Sequence, residues 1–199
     1  MQKLSLILVF LLLTIKTSFA NTYSSDPKEF ITELVNDATN TLSNKSISEE
    51  DKVIFIEKLA IENVDINALS LYTLGDIRKT TNKTSLINYQ KSFKKYFLKS
   101  LTSRLTDYSS NKFEVISAEV KSSNYTIVKT KITGNTNQPE IKIDWRIYTK
   151  NQNKPLIRDL IVEGLSLART QKEEFASILN SNNNDIDILI AKLEEFLNN

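Results

Sequence analysis

The sequence predicts an α+β domain, an antiparallel sheet of about four strands with about six helices packed over it. Three observations predict it. Apolar residues recur at helical spacing through the first half of the chain, alternate with polar ones through most of the second half, and return to helical spacing near the end.

The helices are punctuated by recognisable caps. Asp26-Pro27 supplies an N-cap and an N1 proline, and Phe30, Ile31, Leu34, Val35, Ala38 and Leu42 follow on one face. Ser48 with Glu49, Glu50 and Asp51 starts a second helix carrying Val53, Phe55, Ile56, Leu59 and Ala60. Asp65 caps a third, whose Ile66, Leu69, Leu71 and Leu74 end at Gly75. A long fourth opens around Asn82 to Thr84 and runs through Leu86, Ile87, Tyr89, Phe93, Tyr96, Phe97, Leu98, Leu101 and Leu105.

Phe113 to Val120 and Tyr125 to Ile132 read as strands, with Gly134 to Pro139 as a turn. The clearest strand is Ile141 to Ile147, apolar at each odd position and charged at Lys142, Asp144 and Arg146; this predicts one buried face, holding Trp145, and one wet face. Asn151 to Pro155 turns the chain into Leu156 to Glu163. Two helices follow, near Thr170 to Asn180 and Asp185 to Leu197.

Composition narrows the function. Met1-Gln2-Lys3, the apolar run Leu4 to Ile15 and the small-x-small Ser18-Phe19-Ala20 form a signal peptide over residues 1–20, with cleavage expected after Ala20 and a single domain over residues 21–199. The apolar run is shorter than the ~20 residues a spanning helix needs. Cleavage removes Lys3 and Lys16 and no acid, so 26 basic against 24 acidic residues become equal numbers. A formally neutral chain offers no basic patch for nucleic acid. The chain has no Cys and no His, which excludes Ser-His-Asp and Cys-His nucleophilic sites and His- or Cys-ligated metals. Neither G-x-G-x-x-G nor G-x-x-x-x-G-K is present among its 3 glycines.

The run Ile157-Arg158-Asp159-Leu160-Ile161-Val162-Glu163-Gly164-Leu165-Ser166-Leu167 resembles the D-x-x-x-E-G-x-S-L signature of the MlaC, or toluene-tolerance auxiliary, family of periplasmic phospholipid-binding proteins. Phe175, Ile178 and Leu179, then Leu189-Ile190-Ala191-Lys192-Leu193, are similar to that family's closing helices. Upstream, Val64-Asp65-Ile66, Leu74-Gly75, Tyr89 and Phe93 fall at its spacing, and Asp144-Trp145-Arg146 match its acid, aromatic and base. The chain departs from the family pattern at Asp76, Ile77 and Arg78, where members often carry an aromatic pair, and at Gln171 and Lys172.

The resemblance implies a cavity that takes acyl chains and leaves the head group near solvent, with no cofactor beyond the phospholipid cargo. It implies a monomeric periplasmic carrier that meets an outer-membrane lipoprotein complex and an inner-membrane ABC transporter complex of the Mla pathway. Val64, Ile66, Leu69, Leu74, Tyr89, Phe93, Phe97, Ile143, Trp145, Leu160 and Val162 are the candidate lipid-binding residues. At ~0.8 kcal/mol per buried methylene a sixteen-carbon chain is worth about 12 kcal/mol, which asks for a deep pocket toward the upper end of the usual ~300 to 1,000 Å³.

Two other readings compete. A curved sheet under helices also suits an isomerase or cyclase working with Asp144 or Asp159 and Tyr125 or Tyr148, and a filled core would make the chain an interaction protein. Asp159 and Glu163, four apart in a strand, are about 13 Å apart, too far for the usual glycosidase pair; Glu163-Gly164 is expected to organise the turn into the next helix, its carboxylate accepting backbone N–H groups. Lys91, Lys94, Lys95, Lys99 and Arg104 read as a solvated helix face that could also meet anionic head groups.

Overall fold

The computed structural model describes residues 23–105, 112–133, 140–151 and 154–198. The expected signal peptide with its cleavage site and the Gly134 to Pro139 turn lie outside the described residues. So does part of the Asn151 to Pro155 turn.

Local capping sets the helical half. Helix α1 (Pro27–Ser43) begins where the Asp26 carboxylate accepts the backbone N–H groups of Lys28 and Glu29. Ser48 accepts from the Asp51 N–H to open α2 (Glu49–Asn63), and Asp65 accepts from Ala68 to open α3 (Ile66–Leu74). Gly75 ends α3 at φ 66° and ψ −144°, a conformation that a Cβ would strain. A 3₁₀ turn over Gly75–Lys79, which periodicity does not announce, leads to α4 (Lys83–Leu105).

The strands are a simple meander. β1 (Lys112–Ser122), β2 (Tyr125–Thr133), β3 (Ile141–Asn151) and β4 (Lys154–Val162) pair antiparallel in sequence order, and a two-residue β5 (Leu165–Ser166) adds a fifth strand to the expected four. α5 (Leu167–Asn180) starts three residues before the expected Thr170, because Ser166 accepts the Arg169 N–H as its N-cap. α6 (Ile186–Asn198) closes the chain.

Two apolar clusters result. Phe30, Ile31 and Leu34 of α1 pack on Val128, Ile147 and Ile157 of the sheet, with Trp145 and Leu160 against them. Trp145 therefore turns toward α1, as the alternation requires, and its indole N–H donates to the Thr130 hydroxyl at 2.9 Å. The second cluster joins α3, α4, α5 and α6 around Tyr89, Phe93, Phe175 and Leu189. The expected wet face of β3 is wet only in part. Lys142 is exposed, but Asp144 and Arg146 are half-buried, because α3 and α5 close against β4 and cover the end where Arg146 lies.

In the helical cluster the Tyr89 hydroxyl shares a 2.9 Å hydrogen bond with the Thr73 hydroxyl, and burial raises its pKa well above the ordinary 10.0. Above about pH 10 the unfolded chain releases this proton while the folded chain keeps it. Stability from this group is thus complete below that pH and is lost as pH rises. Tyr89→Phe should cost about 1 kcal/mol at neutral pH and flatten the alkaline loss. Thermal unfolding of both forms across the alkaline range checks this; parallel curves would contradict it.

Candidate functional site

One joint between the two clusters lies where the start of α3 meets β4. Val64 forms a parallel bridge with Ile157, the Asp65 N–H donates to the Ile157 carbonyl at 2.9 Å, and the Asp65 carboxylate accepts from Arg158 Nε and Nη2 at 3.0 and 2.9 Å. Arg158 reaches Asp65 because the β3–β4 register slips there: Arg146 opposes Asp159, whereas the next residue, Ile147, opposes Ile157. The Arg158 guanidinium lies 3.5 Å from the centre of the Tyr148 ring.

Beside this joint lies an open cavity of about 450 Å³. α3 contributes Ala68, Leu69, Leu71 and Tyr72, α5 contributes Ala168, and the sheet contributes Tyr125, Arg146, Arg158 and Asp159; Arg78 comes from the 3₁₀ turn. The walls are mainly apolar, with three guanidinium groups set against one carboxylate. The volume falls in the lower half of the ~300 to 1,000 Å³ range, where the upper end was expected.

Asp159 organises this wall. One oxygen accepts from the Ser166 hydroxyl at 2.6 Å and from Arg146 Nη1 at 3.1 Å, and the other accepts from the Ala168 N–H at 3.0 Å, in the first turn of α5. A carboxylate at a helix N-terminus is favoured by the unpaired N–H groups there. The Glu163 carboxylate accepts a backbone N–H as expected, that of Lys142 across the sheet, while Asp159 is the carboxylate that receives the first turn of α5. Glu163 and Gly164 both have positive φ, 49° and 83°, and make the tight turn from β4 into β5. With its oxygens so engaged, Asp159 acts in holding β3, β4 and α5 together, and Tyr148 serves Arg158. Neither is arranged as an acid–base partner.

The candidate lining residues are dispersed. Ile66, Leu74, Tyr89 and Phe93 are buried in the helical cluster, with Leu69 and Phe97 packed on it. Trp145 and Leu160 pack on the sheet cluster, and Val64 touches both. Ile143 and Val162 oppose each other across β3 and β4, half-buried, and belong to neither. Leu69 borders the cavity. Sequence reasoning placed neither Tyr72 nor Arg78 at a site, named Tyr125 only as an acid–base candidate, took Arg146 as part of the wet face of β3 and of a matching motif, and took Arg158 as part of the signature run. Alternation did place Arg146 on the face away from Trp145; the slip that swings Arg158 has no sequence signature.

Among the lysines noted on α4, Lys91, Lys94 and Lys95 are exposed, as a solvated face requires. Lys99 instead donates to the Phe196 and Leu197 carbonyls at 3.1 and 3.0 Å, near the C-terminus of α6. The side chain of Arg104 lies outside the described residues.

The signature residues Asp159, Glu163, Gly164 and Ser166 are thus the hydrogen-bonded corner that ties β4 to α5 at the cavity. The family model described as MlaC protein matches residues 28–195, the greater part of the chain. The chain belongs to the MlaC family. MlaC proteins form a periplasmic family of lipid-binding carriers, not of enzymes. A solved structure of a phospholipid-binding protein from Ralstonia solanacearum, in complex with a phospholipid, has this fold with a TM-score of 0.68; it is 17% identical, and the match covers 83% of this chain and 93% of that one. No curated protein matches the chain. Among the described residues of this MlaC-family chain no helix is long and apolar enough to cross a membrane, and no cluster of acidic residues could hold a metal ion.

Asp159→Ala should cost about 3 kcal/mol, because it leaves Arg146 and the first turn of α5 without their shared acceptor. Denaturant unfolding beside an exposed control such as Glu173→Ala checks this. A loss no larger than the control's would mean that the corner does not hold α5.

Proposed function

We propose that this chain is a periplasmic phospholipid carrier, moving single lipids between an outer-membrane lipoprotein complex and an inner-membrane ABC transporter complex of the Mla pathway. The observation that carries the proposal is an apolar-walled cavity at the corner built by the family's signature residues, in a fold whose solved relative was found with a phospholipid.

The physics of the cargo sets the rest. About 12 kcal/mol per sixteen-carbon chain is available from enclosure, and a membrane offers about the same. Uptake and release are then nearly balanced, so direction comes from the partners and no bond need be made or broken. A cavity of about 450 Å³ is small for two such chains. The acyl chains would open the seam beside Val64, where the two clusters meet with little shared packing, and Leu69, Leu160 and Val162 would become wall.

Leu69→Glu tests this at a residue that is only half-buried and borders the open cavity, so its carboxylate can reach water when no lipid is bound. The variant should stay folded and lose at least about tenfold in affinity for a phospholipid with a fluorescent acyl chain, with a matching loss of transfer between donor and acceptor vesicles. In a filled core the same change would unfold the domain. A folded Leu69→Glu protein that still binds and transfers lipid would place the acyl chains elsewhere.

A further inference from the structure

The cationic groups around the cavity have unequal partners. Arg158 is taken up by Asp65 and by the Tyr148 ring. Arg146 meets Asp159 through Nη1 alone, and its Nε is buried with no hydrogen-bond partner. Arg78 pairs with no carboxylate among the described residues; Nη1 bonds the Leu71 and Gly75 carbonyls at the end of α3. A guanidinium carries five N–H donors in a planar fork that matches a phosphate oxygen pair. A buried Nε without an acceptor costs free energy that an incoming anion recovers. Three guanidinium groups against one carboxylate in a mainly apolar cavity are more than lining an acyl chain requires.

We propose that Arg146 and Arg78, steadied by Arg158, form a cradle for a phosphate-bearing anion, and that the phosphodiester of the bound phospholipid head group is its occupant. This rests on the carrier reading and deepens it. The lipid is selected by its phosphate as well as by its chains, and the head group docks at the α3–β3–α5 mouth rather than standing free in water. Asp159 stays in place when Arg146 turns its Nε and free edge to the phosphate, since Ser166 and Ala168 still donate to it. Tyr72, beside Arg78 on the same wall and half-covered by the Lys172 ammonium 5.3 Å from its ring centre, closes the apolar side.

The experiment compares two ligands of identical acyl chains, a phosphatidylglycerol and the corresponding diacylglycerol, by displacement of a fluorescent fatty-acyl probe from the full exported chain. The unmutated protein should prefer the phospholipid by roughly tenfold or more, the scale of charge-assisted hydrogen bonds. Arg146→Gln and Arg78→Gln should each bring the ratio toward one, Arg78→Lys should restore part of it, and the exposed Lys91→Gln should leave it unchanged. Thermal unfolding is recorded for each. Should Arg146→Gln not fold, Arg78→Gln decides alone, because its site is a surface turn.

A preference that persists in both glutamine variants overturns the cradle. Equal binding of the two ligands by the unmutated protein overturns it too, while leaving the carrier reading standing; binding of neither ligand removes both. Inorganic phosphate and glycerophosphoglycerol, added without acyl chains, separate the two sources of the anion. If either saturates the site at concentrations that displace no lipid probe, the cradle serves a free phosphate and the head-group assignment falls.

Discussion

The structure depends on the contact between Val64-Asp65 and Ile157-Arg158. The apolar side chains form two clusters, α1 on the sheet and α3 to α6 around their aromatic rings. A backbone bridge and one carboxylate–guanidinium pair join them at α3 and β4, and the Asp159 corner joins β4 to α5. That pair is half-exposed, so its worth in stability is modest, near the ~1 kcal/mol of a surface ion pair. Its effect is geometric. It pins the middle of β4 to the N-cap of α3, and the walls of the cavity, Ala68 and Leu69 on one side and Arg146 and Asp159 on the other, follow from that placement.

A seam of this kind suits a carrier. Well-packed interiors resist entry, because each is filled to crystal-like density. Two such interiors that share Val64 at their boundary can separate locally while each stays intact, and the cost falls on the contacts of α3 and α5 with β4. The buried hydroxyl pair of Thr73 and Tyr89, and the Trp145 indole on Thr130, lie within the clusters and give each a specific packing.

How much of this was legible follows from the range of each interaction. Asp26, Ser48, Asp65 and Gly75 act on neighbours within a few residues, and the sequence placed α1, α2 and α3 through them. Alternation over Ile141 to Ile147 gave the face of Trp145 for the same reason. The start of α5 was placed late because the N-cap is Ser166, which the short strand before it obscures, rather than a residue next to Thr170. The covered end of the charged face was missed because alternation reports which residues share a side, not what packs on that side. Resemblance to the MlaC family named the corner; only three dimensions show that Asp159 and Glu163 there serve different partners. The cavity is the space left between elements, and no local pattern encodes its volume or the arginines that turn toward it.

The central claim is that the seam between the two clusters holds a phospholipid. Mass spectrometry of an organic extract from the purified protein, run beside an equal amount of an unrelated protein prepared in the same way, addresses it most directly. The account predicts phospholipid in near-equal molar amount with this chain and none with the control. An extract free of lipid from protein that has remained folded, or a trace equal to the control's, would contradict it.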